Sequence, residues 1–420
     1  MRRATNRRAA AANGGKKKWT FMVYLAGDNN LDDAGVEDLA EMKKVGSTDE
    51  VNVIAQFDRA AEGSATRYFL RRKTAAKADA VQKLGATNTG DPAALFDFVR
   101  WGVKQYPAER YALVLWNHGQ GWDDTDIYAN ERGGVRRLLR PRRISRAFFR
   151  TSVERAARLT ARSGVVARAI LLDDGAKDFL DNIEMKKVLG SMKRLLGRKL
   201  DLLGMDACLM NMAEVAYQAR GAVDYAVGSE ETEPGDGWPY DVLLRALAAD
   251  PSMTADALGR LIVTTYLRSY HGTGEAVTQS LLDLSTTTKV GAAVKVLAAA
   301  LTAALRSPEA LTAIVDARAR VQQFYVRDNV DLIDLCRLLR ERAVPEAVKS
   351  ASDGVIASVS GDGALVRASG FVGPTMRNAS GLAIYFPAIE VSPLYAKLDW
   401  TAATGWGAFL KRYLDAIQAR

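Results

Sequence analysis

The segment Tyr111–Trp122 has the sequence YALVLWNHGQGW and predicts a buried strand that ends in a polar, glycine-rich turn. Its first six residues are all apolar, without the alternation that marks a strand with one solvent-exposed face. A continuous apolar run of this kind is typical of a parallel strand that is covered on both faces. We therefore expect this segment to lie at the centre of an α/β fold.

The surrounding sequence alternates strand-like segments with helix-length ones. Asp91-Pro92 resembles an N-cap followed by proline at the first helical position, and it predicts a helix that ends near Gln105. Further strands are predicted at Thr20–Ala26, Val51–Phe57, Arg67–Arg71 (an edge strand), Ile170–Asp173, Leu200–Met205 and Tyr225–Gly228. Further helices are predicted near Asp33–Val45, Asp181–Leu196 and Asn211–Arg220. This alternation favours βαβ units and a mostly parallel sheet flanked by helices.

Beyond about residue 250 the pattern changes to longer helices. Val330–Arg342 has apolar residues at helical spacing on one face, whereas Val277–Leu284 and Leu382–Phe386 are strand-like. The 420-residue chain is therefore predicted to comprise a disordered basic leader at 1–18, an α/β domain at 19–250 that contains an arginine-rich insertion at 132–168, and a helix-rich, mixed region at 251–420.

The positive charge of the chain is concentrated in two segments. Residues 1–18 contribute +7 and residues 132–168 contribute +11, so the remainder of this chain of net charge +9 carries −9. We find no basic motif interleaved with aromatic residues, and we interpret the leader as a solvated, disordered segment. A nucleic-acid partner is not expected.

The sequence contains neither an evident secretory signal nor an evident membrane span. No apolar run reaches the roughly 18 residues that indicate a transmembrane helix. The leader lacks the apolar segment of about 7–15 residues that is typical of a signal peptide. We therefore expect a cytoplasmic protein without a membrane partner.

Reactive side chains are scarce, which makes their positions informative. The chain holds two histidines, His118 and His271, and two cysteines, Cys208 and Cys336, too few for a disulfide framework or a multi-cysteine zinc site. His118 directly follows the strand that ends at residue 117, and Cys208 follows the strand Leu200–Met205 with two residues between. Because the carboxyl ends of parallel strands meet at one edge of the sheet, we expect His118 and Cys208 to converge there.

Each of these residues also has a purely structural interpretation. Cys336 lies on the apolar face of a predicted helix, where a cysteine behaves as a small buried hydrophobe. His271 precedes Gly272 at a helix end, which is ordinary capping chemistry, and it is the rival partner for Cys208. On spacing alone, His118 and Cys208 could also be a hydrogen-bonding histidine and a buried cysteine.

The residues around His118 and Cys208 favour a chemical role. Gly119 and Gly121 follow the histidine and permit close approach of a ligand backbone. Asp206-Ala207-Cys208 leads into a predicted helix, whose N-terminal dipole would favour the cysteine thiolate. These neighbours favour a Cys–His pair over two unrelated structural residues.

Four segments together resemble the clostripain family of cysteine peptidases, which belongs to the caspase-like clan. They are KWTFMVYLAGDNNLD (Lys18–Asp32), LVLWNHGQGW (Leu113–Trp122), LDLLGMDACLMNMAEVAYQ (Leu200–Gln218) and GSEETEPGDGWPY (Gly228–Tyr240). The resemblance spans the N-terminal 250 residues and implies a caspase-like sheet. It also implies a thiol protease that acts on peptides and proteins and cleaves after basic residues, arginine above lysine.

Carried over by position, the resemblance assigns roles to individual residues. His118 would be the catalytic histidine and Cys208 the nucleophile of a dyad, with no third member evident. The backbone N–H groups of Gly119 and Cys208 would face the developing oxyanion. Asp206 and Asp236 would line the pocket for the basic side chain, because a planar guanidinium pairs bidentately with carboxylates. For Asp236, which lies between two glycines, turn formation is the alternative.

The arginine-rich insertion lies between His118 and Cys208, where the family carries a linker that is often cut after a basic residue during maturation. A self-processed zymogen would be nicked in the glycine-containing stretch before a predicted helix at about Ile144–Ala161. The candidate cleavage sites are Arg132, Arg136, Arg137, Arg140, Arg142 and Arg143. The alternative is a solvated helix with arginines on its outer face.

Asp28, Asn30 and Asp32 form a D-x-N-x-D pattern, as in a calcium loop. Position six of that pattern is Asp33 rather than glycine, and position twelve is Leu39 rather than glutamate, so the EF-hand requirement fails. We interpret the pattern as helix N-capping and assign no metal ligand and no cofactor. Because some members of the family depend on calcium, a calcium site elsewhere stays open.

The leading interpretation is thus an arginine-directed cysteine endopeptidase. Two alternatives come from other functional classes. One is a catalytically silent caspase-like protein that binds peptides on the same sheet, and the other is a polyanion-binding protein that uses the two basic segments.

Overall fold

The computed structural model describes residues 16–123, 128 and 170–419. The predicted leader, residues 1–18, lies outside the described residues up to position 15, and the first strand begins at Lys17, so it includes the last two residues of that leader. The predicted helix at 144–161 and the candidate cleavage sites also lie outside the described residues. Those sites are Arg132, Arg136, Arg137, Arg140, Arg142 and Arg143.

The described residues form strands and α-helices in alternation over the first two thirds of the chain. The strands are β1 (Lys17–Gly27), β2 (Val51–Arg59), β3 (Ser64–Phe69), β4 (Ala80–Gly85), β5 (Ala108–Trp116), β6 (Ile170–Asp173), β7 (Asp178–Leu180), β8 (Leu200–Asp206), β9 (Val223–Gly228), β10 (Val277–Asp283), β11 (Asn329–Asp331), β12 (Val366–Val372) and β13 (Ala383–Tyr385). The helices are α1 (Asp32–Val45), α2 (Ala76–Asp79), α3 (Pro92–Gln105), α4 (Asn182–Leu196), α5 (Ala213–Ala219), α6 (Tyr240–Ala249), α7 (Ala255–Ser269), α8 (Thr287–Ala304), α9 (Pro308–Arg320), α10 (Leu332–Arg340), α11 (Glu346–Val359), α12 (Asp399–Thr404) and α13 (Trp406–Gln418).

A nine-stranded sheet forms the centre of the protein, in the order β12-β10-β9-β8-β5-β1-β2-β3-β4. The five inner strands from β9 to β2 are parallel to one another. Two antiparallel strands extend the sheet at each side. The predicted α/β, mostly parallel sheet is therefore confirmed for the strands that lie at its centre. Because β10 and β12 come from beyond residue 250, the C-terminal region completes the sheet as well as covering it.

Helices cover both faces of the sheet, as the apolar strands require. Successive residues of β1 point to opposite faces, so Phe21 and Val23 join one apolar core while Met22 and Tyr24 join the other. The first core includes side chains of α1, α6 and α7, and the second includes side chains of α3, α4 and α5. From Trp19 onward, both faces of β1 are therefore buried.

The helix starts follow the local sequence signals. The carboxylate of Asp91 accepts a hydrogen bond from the N–H of Ala93 at 2.7 Å, and Pro92 is the first residue of α3, as predicted. Asp181 and Glu184 form a capping box at the start of α4, each accepting from the other's backbone N–H. These caps set the ends of two helices that pack on the second core.

The edges of the sheet depart from the prediction. The segment predicted as the edge strand Arg67–Arg71 is β3, which ends at Phe69 and lies inside the sheet because β4 pairs on its outer side. β4 and β12 were missed because their sequences, AVQKLG and VRASGFV, are polar or glycine-containing and partly exposed. Edge strands bury only part of their surface and therefore carry a weaker apolar pattern.

One stretch of the described residues, Leu284–Ala304, is long and apolar enough to span a membrane by length and composition alone. It contains α8, whose apolar residues Val290, Val294, Leu297 and Leu301 are buried among the other C-terminal helices. This burial is that of a helix in the core of a folded domain.

Gly204 in the central strand β8 provides space for the buried indole of Trp238. A Cβ atom at position 204 would lie 2.8 Å from Cη2 of Trp238. Gly204→Ala is therefore expected to lower the free energy of unfolding by roughly 1–3 kcal/mol, since a packed ring must shift. The measurement is the thermal midpoint. Gly221→Ala is the control, because a Cβ there meets nothing within 4 Å; equal stability of the two variants would contradict this packing.

Candidate active site

The carboxyl ends of β5 and β8 lie side by side, and the two candidate catalytic residues follow them. The strands pair in parallel with Trp116 opposite Asp206. His118 therefore lies two residues after Trp116, and Cys208 lies two residues after Asp206. The structure thus brings the two residues to the same edge of the sheet, as the sequence predicted.

The turns after the two strands are in close contact. A Cβ atom at Gly119 would lie 2.7 Å from the carbonyl oxygen of Cys208, so the close approach of the turns requires a glycine at this position. Leu209 has a φ of 63°, a conformation that a residue with a large side chain rarely adopts. The backbone directly after Cys208 is therefore strained. The assignment of the Gly119 and Cys208 N–H groups to an oxyanion hole stays a prediction.

The thiol of Cys208 is fully buried and is held by the segment that precedes α6. The N–H of Glu233 donates to Sγ at 3.3 Å, and the thiol contacts the carbonyl oxygen of the same residue at 3.8 Å. Burial raises the pKa of the Cys208 thiol far above its usual range. In this conformation Cys208 is a neutral thiol rather than a thiolate.

The prediction that a helix dipole favours the Cys208 thiolate is wrong. The next helix, α5, begins at Ala213 and not directly after Cys208. The effect of a helix dipole falls off within the first turn of the helix, so it gives Cys208 little stabilisation. Desolvation dominates instead, and it acts in the opposite direction.

His118 is buried with its ring directed at the loop that follows β1. Its Nε2 atom lies 3.0 Å from Oδ1 of Asn30, within hydrogen-bond distance. Only 7% of the residue is exposed, and burial lowers the pKa of His118 to about 4. The imidazole is therefore neutral near pH 7. Asn30 is a residue that the sequence analysis did not link to His118, although it lies in the matched segment after β1.

Asp206 is buried beside Cys208, at the end of β8. Its Oδ2 atom accepts hydrogen bonds from the hydroxyl of Tyr240 at 2.7 Å and from the N–H of Trp238 at 3.4 Å. Burial raises the pKa of Asp206 to about 6, while hydrogen bonds from Glu233 and Tyr240 oppose the rise. The carboxyl is thus held in place by the GDGWPY segment. This segment contains Asp236, the other residue that was predicted to line the specificity pocket.

Two further buried carboxyls lie near Asp206 that the sequence analysis missed. Glu233 shares a hydrogen bond with Asp206, and burial together with the Asp206 charge raises the pKa of Glu233 well above its usual range. Asp38 of α1 accepts from Nε1 of Trp116 at 2.6 Å, and burial followed by the Asp206 charge raises its pKa too. The backbone of Gly237 lies between them: a Cβ there would be 3.3 Å from Asp38 and 3.4 Å from Asp206.

These carboxyls differ in how far the sequence could reveal them. Glu233 lies in the matched segment Gly228–Tyr240, so its position carried a signal. Asp38 is one acidic residue of a helix that also carries the exposed Glu37 and the half-buried Glu41, and only the tertiary structure shows that Asp38 is turned inward. Together Asp38, Asp206 and Glu233 form a buried acidic cluster, which we call the acid pocket.

The other residues that the sequence analysis considered, Asp236, Cys336 and His271, have no described contact with His118 or Cys208. Asp236 is exposed in a turn closed by the N–H of Gly237 and the carbonyl of Pro234 at 3.0 Å, so its pocket role stays a prediction. Cys336 is fully buried in α10, and burial raises the pKa of its thiol, as expected of a structural cysteine. His271 is exposed after the end of α7, where the sequence placed it as a capping residue.

The D-x-N-x-D residues do not cap α1, so the N-capping interpretation is wrong. The N-cap of α1 is Leu31, without a side-chain cap. Asp32 instead forms a bidentate ion pair with Arg59, at 3.0 and 2.8 Å. Asn30 contacts His118, and Asp28 faces other carboxylates. Because the chain turns between β1 and α1, these three polar side chains contact other parts of the fold and not the start of the helix.

A family model and a curated relative both match this chain, and both are clostripain proteins. The model of the clostripain family matches residues 23–133 and 156–367, well over half of the chain. Clostripain from Hathewaya histolytica is 28% identical over 307 residues, which is 61% of this chain and 51% of that protein. The chain thus spans about half the length of this curated relative.

Solved structures share the fold over nearly the whole chain. A secreted C11 cysteine protease from Bacteroides thetaiotaomicron, in complex with an irreversible peptide inhibitor, superposes with a TM-score of 0.64 at 19% identity, covering 93% of this chain and 99% of that one. An inactive zymogen C11 protease from Parabacteroides distasonis gives a TM-score of 0.63 at 20% identity, with 94% and 99% covered.

These likenesses confirm the predicted caspase-like fold. The expectation of a cytoplasmic location gains no support, since the Bacteroides relative is described as secreted. The family model covers the strand ends that carry His118 and Cys208 together with the acid pocket. This chain therefore belongs to the clostripain family of cysteine peptidases.

Proposed function

We propose that this protein is a cysteine endopeptidase that hydrolyses peptides and proteins after basic residues, arginine in preference to lysine. The observation that carries the proposal is the placement of His118 and Cys208 beyond one cross-strand pair of β5 and β8, beside the acid pocket. Family membership supports the reaction class, and the buried carboxyls support the choice of substrate.

The two residues supply nucleophilic and acid–base catalysis. Cys208 transfers its proton to His118, and Sγ attacks the scissile carbonyl carbon to form a tetrahedral intermediate. The backbone N–H groups of Gly119 and Cys208 stabilise the oxyanion, a contact worth about 2.7–4 kcal/mol for a single donor. When the C–N bond breaks, the amine takes the proton from His118. Water then hydrolyses the thioester, with His118 as the base and Asn30 holding its ring.

The acid pocket selects a cation on the acyl side of the scissile bond. Among the residues that the structure describes, no lysine or arginine forms an ion pair with Asp38, Asp206 or Glu233, so these carboxyls are buried without a described cationic partner. A guanidinium pairs with carboxylates bidentately, and lysine cannot reproduce this geometry. An acidic or neutral side chain would leave the carboxyls uncompensated in a buried site.

Glu233 connects the pocket to the nucleophile. Its backbone holds Sγ of Cys208, while its carboxyl shares a proton with Asp206. A guanidinium that pairs with Asp206 and Glu233 displaces this proton and moves the segment that covers the thiol. Substrate binding therefore uncovers Cys208 in this proposal, which accounts for a thiol that is buried and neutral before substrate enters.

An arginine-directed peptidase would also cut its own linker. Residues 132–143 contain six arginines and two glycines between the two catalytic residues. We place self-processing there, after one of Arg132, Arg136, Arg137, Arg140, Arg142 and Arg143. The protein is then synthesised as a zymogen.

One observation favours a second candidate function, a catalytically silent caspase-like protein that binds peptides. Cys208 is 0% exposed, and its thiol pKa is raised by burial. Such a protein would bind arginyl peptides in the acid pocket without hydrolysing them. Hydrolysis measurements separate the two candidates.

Cys208→Ala is expected to abolish hydrolysis of an arginyl-amide reporter peptide and to leave the chain intact between residues 132 and 143. The physical reason is the loss of the proposed nucleophile. The measurements are reporter release and the mass of the purified chain. Cys336→Ala is the matched control, since it also removes a buried cysteine but lies in α10.

Hydrolysis that persists in Cys208→Ala would rule out Cys208 as the nucleophile. An intact Cys336→Ala chain that still hydrolyses the reporter would refute self-processing while leaving the peptidase proposal in place. Binding of arginyl peptides without hydrolysis by the unaltered protein would support the silent alternative.

Asp206→Asn is expected to lower kcat/KM for the arginyl reporter about 100-fold, corresponding to about 3 kcal/mol, because the guanidinium loses its charged partner in a buried site. The same variant should change hydrolysis of a citrulline reporter far less, since citrulline is nearly isosteric with arginine but uncharged. Asp241→Asn, at an ion-paired residue of α6, is the control. Equal losses for both reporters would indicate a purely structural role for Asp206.

The ratio of arginyl to citrulline hydrolysis is expected to rise with pH through about 6. The raised pKa of Asp206 leaves its carboxyl neutral below about 6 and ionised above it, whereas arginine stays charged throughout. Taking the ratio cancels the titration of Cys208 and His118, which act on both reporters. A flat ratio between pH 5 and pH 8, or the same rise in Asp206→Asn, would contradict this assignment.

A further inference from the structure

A cavity lies beside β12, the strand at one end of the nine-stranded sheet. β12 pairs with β10 on one side only, so the N–H and C=O groups that point outward have no strand partner among the described residues. The cavity has a volume of about 420 Å³ and is lined by four consecutive residues of this strand, 366–369. Because successive strand residues point to opposite faces, a cavity that contacts all four lies along the open edge rather than over one face.

The side chains around this cavity carry positive charge. Arg337 of α10, Arg367 of β12 and Arg377 of the segment after β12 line it, and none of the described lining residues is acidic. The other polar side chains in the lining are uncharged: Ser360, Ser369, Asn378 and Ser380. We call this cavity, with its three arginines, the arginine groove.

Two of the three guanidinium groups have no ion-pair partner in the part of the chain that the structure describes. Arg337 and Arg377 are exposed, and neither forms an ion pair or a side-chain hydrogen bond there. The charge of Arg337 acts on the buried Asp334, but that carboxylate accepts from the N–H of Gln322 at 2.7 Å and not from the guanidinium. The donors of Arg337 and Arg377 are therefore available to a ligand.

The charge of Arg367 is only partly neutralised. Its Nε atom donates to Oδ1 of Asp256 at 3.4 Å, which is long for a hydrogen bond. The same carboxylate pairs with Arg260 at 2.7 Å. One carboxylate thus serves two guanidinium groups, which leaves a net positive charge beside the groove.

The groove lies at the end of the sheet that carries Cys208. Ser369 is opposite Ser280 of β10, and Ser280 is opposite Gly228, the last residue of β9. β9 runs parallel to β8, the strand that leads to Cys208. Three strand spacings separate β12 from β8, a distance of about 14 Å. About five residues of extended chain therefore span from the groove to the catalytic edge.

We propose that the arginine groove binds an acidic, extended segment of a protein substrate, which adds to the sheet as a strand beside β12. The backbone of the segment pairs with the outward N–H and C=O groups of β12, and its carboxylates pair with Arg337 and Arg377. Phe371 of the same strand is 41% exposed, so the added strand also covers apolar surface. That the bound protein is a substrate rests on the peptidase function proposed above.

The open edge favours a polypeptide over a nucleic acid as the ligand. A nucleic acid would offer phosphates to the three arginines. Its backbone has no alternating N–H and C=O groups with which to continue the pairing of a strand. The strand edge therefore selects a polypeptide, and the charge of the groove selects an acidic one.

The first measurement is the binding of a fluorescent peptide of alternating glutamate and threonine, about eight residues long, to the full-length protein by fluorescence anisotropy. The peptide has no basic residue, so it is not a substrate of the proposed peptidase. The groove variant, Arg337→Gln with Arg377→Gln, should weaken binding about tenfold, because two charge-assisted contacts are lost. A glutamate–proline peptide of the same charge should also bind about tenfold more weakly to the unaltered protein, since proline lacks the N–H that a strand edge needs.

The matched control is the double variant Arg245→Gln with Arg340→Gln, which removes two exposed, ion-paired arginines outside the lining of the groove. It has the same net charge as the groove variant and should bind the peptide like the parent. An equal loss in the control would show attraction to positive charge anywhere on the chain and overturn the proposal. A proline peptide that binds as tightly as the threonine peptide would overturn strand addition and indicate a general site for polyanions.

The second measurement is the hydrolysis of two arginyl reporters, one short and one that carries the acidic segment on a flexible linker. The groove variant should raise KM about tenfold for the extended reporter and leave its kcat and both constants of the short reporter unchanged, because the groove only holds the substrate. An equal rise in KM for both reporters would contradict the proposal. If the parent hydrolyses neither reporter, the peptidase function and the substrate role both fail, while the binding measurement still decides whether the groove takes an acidic strand.

Discussion

The parallel pairing of β5 with β8 is the constraint on which the rest of the site depends. One register places Trp116 opposite Asp206, and His118, Gly119 and Cys208 follow this pair within three residues. A shift of one residue would turn Asp206 to the other face of the sheet and move Cys208 away from Gly119. The apolar side chains that alternate between two cores enforce this register, so the packing of the core determines the geometry of the chemistry.

Burial then determines the chemical state of the site. The same desolvation keeps Cys208 a thiol, keeps His118 neutral and raises the pKa values of the acid pocket. A reactive thiolate next to ionised carboxylates would be disfavoured in such surroundings, whereas neutral groups are stable. In the function proposed above, a cationic substrate changes this balance, because it supplies the positive charge that the buried carboxyls lack. Under that proposal, specificity and activation follow from one electrostatic arrangement.

The sequence predicted the inner strands well and the site in part. Tyr111–Trp116 is a continuous apolar run, and Val51–Phe57 and Leu200–Met205 are mostly apolar, so the positions of these strands followed from hydrophobicity. The convergence of His118 with Cys208 followed from the parallel topology. The edge strand Ala80–Gly85 was missed because an exposed, polar strand has no such pattern. The inward orientation of Asp38 was missed because a charged residue on an amphipathic helix is indistinguishable, by sequence, from its exposed neighbours.

The loop Asp28–Asp32 shows why local pattern and tertiary role diverge. Short polar residues between a strand and a helix predict capping, because a side-chain oxygen can satisfy the first helical N–H groups. Here the loop lies at the carboxyl edge of a parallel sheet, where the ends of β2, β5 and β6 are within reach. Asp32 pairs with Arg59, Asn30 contacts His118 and Asp28 faces Asp58 and Asp173. The sheet edge offers these side chains partners of their own, so α1 begins without a side-chain cap and the loop lies between the acidic residues around Asp58 and the imidazole of His118.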